Sequence, residues 1–224
     1  MNRPTKSEEL FKRYCADQSY QLEKIQEGVE QTPDFRVATQ HGHVIAEIKE
    51  VCPNEEEIAI AKNGGGTHWH SIGKRVRAKI EGAMSQTKKY RSESVPCILV
   101  LFDNIVVDGV RPLYPNYYFN PGEIAFGMYG ELKVVVSLDK SSGQIIKSQS
   151  MLGGKRKLRP DQGNEISAVC ILNECFEQYP PSLLTYHNAF AKIPLSRALF
   201  AGPYDKHFKN LGDEVSFDTS WVEF

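Results

Sequence analysis

The chain of 224 residues carries 27 Lys and Arg against 28 Asp and Glu, for a formal charge of −1, and is 41% hydrophobic and 25% charged. That length suits a single domain spanning residues 1–224, with a core large enough to need no covalent or metal staple. The charge balance excludes a polycation, so any nucleic-acid site must come from local clustering of basic residues.

Residues 7 to 17 read as a helix, with Leu10, Phe11, Tyr14 and Cys15 at helical spacing and Thr5 or Ser7 as N-cap. Residues 20–25 alternate as a strand. Residues 32–51, TPDFRVATQHGHVIAEIKEV, read as two strands joined by a hairpin turn around Gly42. Asn54 to Glu57 form an acidic turn or helix start. Residues 62–71, KNGGGTHWHS, read as a mobile loop, because three consecutive glycines are costly to order. A helix is predicted over 72–91, with Ile72, Val76, Ile80, Ala83 and Thr87 as its buried stripe. Residues 96–102, PCILVLF, are a continuous apolar strand that belongs mid-sheet. Further on, 121–129 reads as a short helix, 132–138 and 167–172 as strands, and 141–143 as a turn. Residues 151–163 read as a polar, basic loop, 186–188 as a structured corner, and 195–199 as a short helix. The order of elements predicts an α/β fold with a central mixed β-sheet flanked by helices.

The hairpin carries the chemistry. Side chains in a strand alternate between faces, so Asp34 lies opposite the Phe35/Val37 face, and Glu47 and Lys49 point the same way, about 7 Å apart. Antiparallel pairing across the turn sets Asp34 beside that end. Hard divalent cations take oxygen ligands and retain waters, so two carboxylates can suffice, with the Ile48 backbone carbonyl as a further oxygen. A bound Mg²⁺ or Mn²⁺ acidifies water, and a lysine can orient the nucleophile or neutralise charge growing on a phosphate. The bland alternative is a solvated hairpin face with a surface Glu–Lys pair.

Pro33-Asp34 followed by Glu47-Ile48-Lys49 resembles the PD-(D/E)xK nuclease superfamily, whose fold is restriction-endonuclease-like. Two further elements match in order. Family members commonly carry an acid on the first helix, here Glu8, with Glu9 as competitor. RecB-like branches carry Q-x-x-x-Y on the helix after the motif strand, here Gln86 to Tyr90. The resemblance covers roughly residues 7 to 103, with 104–224 supplying additional strands and helices. It implies a metal-dependent nuclease in a defence, restriction or repair setting. Asp34 and Glu47 would hold the metal, Lys49 would serve the nucleophile, and Glu8 and Gln86 would assist. DNA is the expected partner, with RNA open and a homodimer in keeping with double-strand cutting. The alternative is a catalytically inactive member of the same fold that binds nucleic acid or a protein.

The helix at 72–91 supplies local positive charge through Lys74, Arg75, Arg77, Lys79, Lys88, Lys89 and Arg91 against one acid, Glu81. Beside a metal site these, with Tyr90, become candidates for nucleic-acid contact, although a solvated basic face is the ordinary reading. Lys155, Arg156, Lys157 and Arg159 form a second cluster. Such contacts would be blind to sequence. A zinc site from His41, His43, His68, His70 and Cys52 lacks well-spaced ligand pairs. Trp69 could stack on a base, though an anchor for the glycine-rich loop is the simpler role. The five cysteines are odd in number and scattered, which points to reduced thiols in a cytoplasmic protein. With no apolar signal core at the start and no apolar run beyond about 98–102, no membrane partner is expected.

Overall fold

A computed structural model describes residues 4–26, 31–63, 71–104, 119–130, 132–152, 154–174, 179–210 and 221–224. Helix α1 (Lys6–Asp17) opens with a reciprocal cap: the Thr5 hydroxyl accepts from the Glu8 amide, and the Glu8 carboxylate accepts from the Thr5 amide. Strand β1 (Gln21–Lys24), β2 (Phe35–Thr39) and β3 (Gly42–Val51) form an antiparallel meander. Helices α2 (Glu55–Lys62) and α3 (Lys74–Thr87) follow, and a 3₁₀ helix (Lys88–Glu93) tightens the end of α3.

Strand β4 (Cys97–Asp103) returns parallel to β3, and β7 (Ile166–Asn173) pairs parallel to β4. Between them lie α4 (Pro121–Tyr129) and a separate two-stranded hairpin, β5 (Leu132–Leu138) and β6 (Ile145–Leu152). Strands β8 (Ser182–His187), β9 (Lys206–Asn210) and β10 (Trp221–Glu223) complete the main sheet. Its eight strands run in the order β1-β2-β3-β4-β7-β8-β9-β10 and mix parallel with antiparallel pairs. The fold is therefore α/β with one large mixed sheet flanked by helices, as the order of elements predicts.

Alternation along the central strands builds two cores. Val44, Ala46 and Ile48 of β3, with Ile98, Val100 and Phe102 of β4, face α1 and bury its Leu10, Phe11 and Tyr14. Leu99 and Leu101 of β4 face α3 and α4, packing with Val76, Ile80, Ala83, Ile124 and Met128. Each large side chain so buried contributes about 1.5–3 kcal/mol. Phe11 is fully buried against Phe35, so Phe11→Ala would lose about 3–5 kcal/mol.

The structure corrects several local expectations. Ile72 does not open the buried stripe of α3. It is 52% exposed, because the helix starts after Gly73, whose φ is +71°. That backbone turn lets Gly73 N–H donate to the buried Glu123 carboxylate on α4. The predicted helix to 91 also divides, since α3 ends at Thr87 and the last turn is 3₁₀. The basic loop expected over 151–163 begins later, because β6 runs to Leu152. Strands β6, β8, β9 and β10 escaped sequence reading, and the short helix expected over 195–199 is a 3₁₀ turn, Arg197–Leu199. The glycine-rich segment 64–70, with His68, Trp69 and His70, lies outside the described residues.

Candidate active site

The hairpin register places Phe35 opposite Ala46, so Asp34 stands one step beyond the ladder, level with Glu47. Two backbone contacts fix it there. The Asp34 carbonyl accepts from Ile25 N–H at 2.9 Å, and its carboxylate Oδ2 accepts from Ile48 N–H at 2.7 Å. A strand residue sends its N–H and C=O to the same edge. The Ile48 carbonyl therefore also leaves β3 toward Asp34, while the Ile48 side chain packs in the α1 core.

Glu47 is completely buried and forms an ion pair with the Lys49 ammonium, which is about a quarter exposed, at 28%. Neither carboxylate oxygen of Glu47 makes a hydrogen bond of good geometry, although Oε1 is the atom that Lys49 approaches. Burial is the largest influence on Glu47 and lifts its pKa to about 7, with the Asp34 charge adding to the rise. Burial likewise raises Asp34, assisted by the charge of Glu8 and opposed by the Ile48 amide and Lys49. The two carboxyls interact directly, so they titrate as a pair. Two buried acids held together this way favour a shared proton or a cation between them.

The flanking residues divide into those brought to the site and those drawn elsewhere. Glu8 lies within Coulombic reach of Asp34, but its carboxylate is occupied by Thr5 and by Lys24 at 3.2 Å. Burial works to raise the Glu8 pKa, yet the Thr5 amide and Lys24 outweigh it and hold the acid below its ordinary range. Glu9, the competing acid, is exposed and lines a small cavity with Lys6 and Arg13 on the outer side of α1. Gln86 donates its side-chain amide to the Thr32 carbonyl at 3.3 Å, tying α3 to the segment that leads into Asp34. Lys79 of α3 is half-buried within Coulombic reach of Lys49. Burial first, and Lys49 second, depress its pKa.

Other basic residues have mixed fates. Lys74, Lys88 and Lys89 are exposed on or just after α3. Arg75 pairs with Glu57 of α2. Arg77 and Tyr90 do not reach the surface assigned to them. Arg77 is buried and donates to the Phe126 carbonyl, and Tyr90 packs with Ile45 and Cys97 under the Lys89 ammonium. Both fall on the core side of the helix, where apolar contact decides orientation. In the second cluster Lys155 is exposed, Arg156 covers the Phe190 ring, and Lys157 pairs with Glu81 of α3 at 3.1 Å.

Sequence reasoning missed Glu50, on the strand that carries Glu47. Its carboxylate takes the Ser7 amide at 2.9 Å and the Asn104 side chain at 2.8 Å, and so locks α1 to the end of β3. The signal is present as an acid directly after the EIK motif, but its partners are distant in sequence. His41 and His43 are exposed at the hairpin turn. Among the described residues no three His, Cys, Asp or Glu side chains gather as a metal-holding group. A divalent ion here would thus draw on Asp34, Glu47, the Ile48 carbonyl and oxygens from water or substrate. Among the described residues no helix is long and apolar enough to cross a membrane. Comparison of the chain with protein-family models, curated proteins and solved structures found no match.

Proposed function

We propose that the protein is a divalent-metal-dependent nuclease of restriction-endonuclease-like architecture that hydrolyses phosphodiester bonds in DNA. The observation that carries this reading is the meeting of Asp34, Glu47 and Lys49 at one end of the β2–β3 ribbon, with both Glu47 oxygens buried and short of hydrogen bonds. Two carboxylates and a strand-edge carbonyl suit Mg²⁺ or Mn²⁺, which keep several waters and also take phosphate oxygens. The ion would supply acidification of water and stabilisation of charge on the phosphate.

The chain's own residues have separable roles. Asp34 and Glu47 present oxygens from adjacent strands, and the Ile48 amide orients Asp34. Lys49 neutralises Glu47 at rest and is free to turn to the attacking water or the phosphate once a cation takes its place. Gln86 holds the Thr32 backbone, and with it the approach to Asp34. Glu8 contributes charge at a distance rather than a ligand atom. The helix before the ribbon and the glutamine-bearing helix after it stand in the order the PD-(D/E)xK resemblance implies.

A second reading draws on a different observation. Glu47 has no exposed surface and Lys49 closes over it, an arrangement that also suits a catalytically inactive module binding nucleic acid or a protein. Incubation of the protein with supercoiled, linear and single-stranded DNA and with RNA, in Mg²⁺ or Mn²⁺, separates the two. Metal-dependent cleavage that disappears in Asp34→Asn and Lys49→Ala supports the nuclease. Cleavage that persists in both variants removes the site assignment. Salt-sensitive binding without cleavage favours the inactive module. Size-exclusion chromatography with and without duplex tests whether two copies act together.

A further inference from the structure

Helix α3 carries Arg75, Lys79, Gly82 and Gln86 at i, i+4, i+7 and i+11, a spacing that puts all four on one face. Three of them have defined neighbours. Arg75 pairs with Glu57, Lys79 lies within Coulombic reach of Lys49, and Gln86 bonds the Thr32 carbonyl. Gly82 stands between Lys79 and Gln86 and is the exception. A glycine inside a helix costs about 1 kcal/mol relative to alanine. Here a Cβ would meet nothing within 4 Å among the described residues, whose packing gives no reason for its absence.

Flanking that face at the C-terminal end of α3 is a cavity of about 610 Å³ lined by Gln31, Ser85, Lys88 and Lys89. Lys88 and Lys89 are exposed, and no acid is among the described lining residues. Thr32, next to Gln31, keeps a buried hydroxyl without a hydrogen-bond partner. From Lys79 to Lys89 the path measures about 15 Å at helical rise, the length of about four nucleotides of B-form strand.

From this arrangement we infer that the Lys79–Gly82–Gln86 face and the Lys88/Lys89 cavity form one groove that holds the sugar-phosphate backbone of a polynucleotide strand running away from the candidate site. Gly82 is the point where the backbone lies closest to the helix, and the two terminal lysines meet phosphates beyond it. The inference rests on the nuclease reading for the direction of the groove, but its test does not require cleavage. A strand several nucleotides long, rather than a mononucleotide, is the class of ligand it takes.

The test measures fluorescence anisotropy of a labelled 16-nucleotide poly-dT strand and of a 16-base-pair duplex in EDTA, across 50–200 mM salt. Gly82→Leu is expected to hold or raise Tm, since leucine is a better helix former than glycine and its Cβ meets no described atom within 4 Å. It is expected to weaken binding at least tenfold. Lys88→Ala with Lys89→Ala is expected to weaken binding and to reduce the salt slope by about 1.5–2, two phosphate contacts' worth. Gly82→Ala is the milder arm and is expected to raise Tm by about 2–4 °C. Binding within twofold of wild type in a folded Gly82→Leu variant overturns the groove. So does the absence of oligonucleotide binding by the wild type at 50 mM salt. Binding that falls in these variants, in a protein that never cleaves, upholds the groove and rejects the nuclease.

Discussion

Glu47→Gln tests the buried carboxyl pair through stability, without any assumption about substrate. The substitution keeps size and shape while removing the charge. An acid whose pKa rises from 4.5 to about 7 on folding makes the native state bind more protons than the unfolded chain between those values. Stability therefore falls as pH climbs through that window. At about 1.4 kcal/mol per pH step, the loss is under about 1 kcal/mol at pH 5 and on the order of 3 kcal/mol at pH 8. Glutamine does not titrate, so the variant escapes this loss. Leaving Lys49 without its Glu47 partner shifts the baseline, so the readout is the slope. From pH 5 to pH 8 the variant should gain on wild type by about 2–3 kcal/mol, or roughly 5–10 °C in Tm for a chain of this size. Mg²⁺ should recover much of the wild-type loss at pH 8, by about 2.7 kcal/mol at a hundredfold excess over its Kd, and none in the variant. A Tm difference that stays constant between pH 5 and pH 8 would refute the reasoning.

Gly73→Ala should destabilise by more than 2 kcal/mol, read by urea denaturation. A Cβ at φ +71° would stand 2.5 Å from the Gly127 amide nitrogen. Unchanged stability would mean that α3 does not start there. Tyr14→Phe removes the 2.7 Å bond from a buried phenol to the Asp205 carboxylate, with an expected loss of about 1.5–3 kcal/mol. The carboxylate keeps the Leu183 and Gly202 amides, each at 2.8 Å, so urea denaturation that shows no loss in Tyr14→Phe would mean the phenol bond adds nothing to stability. His187 is held neutral by burial, with its pKa pushed down to about 4, and its Nε2 lies 2.8 Å from His207 Nδ1. A depressed base contributes stability above its unfolded pKa of 6.5 that is lost as pH falls toward 4. Thermal melts of His187→Gln should show a shallower acid limb, and an identical limb would exclude this pair from acid unfolding.

The parts of the fold that were legible in the sequence are those where one period dominates. Residues 96–102 are apolar without interruption, and β4 is indeed a central strand with both faces covered. The α1 helix and the β2–β3 hairpin follow from alternation, capping and Gly42, whose φ is 134°. The adjacency of Asp34, Glu47 and Lys49 follows from register alone. Burial of Glu47 did not, because an acid between Ala46 and Ile48 looks equally suited to a wet face. The inward turn of Arg77 was also hidden, since its partner is a backbone carbonyl on α4. Strands β8 to β10 are short, and their residues lack a continuous apolar signal. Gly82 carried no signal until the space around it was visible.

Strand β3 divides its labour by parity. Val44, Ala46 and Ile48 belong to the α1 core, and Glu47 and Lys49 stand on the opposite face. Changes at 34, 47 and 49 would alter the proposed site while leaving the apolar set untouched. On the proposed reading, one or two substitutions in the polar set would leave a binding module of the same shape, because none of them enters the α1 core.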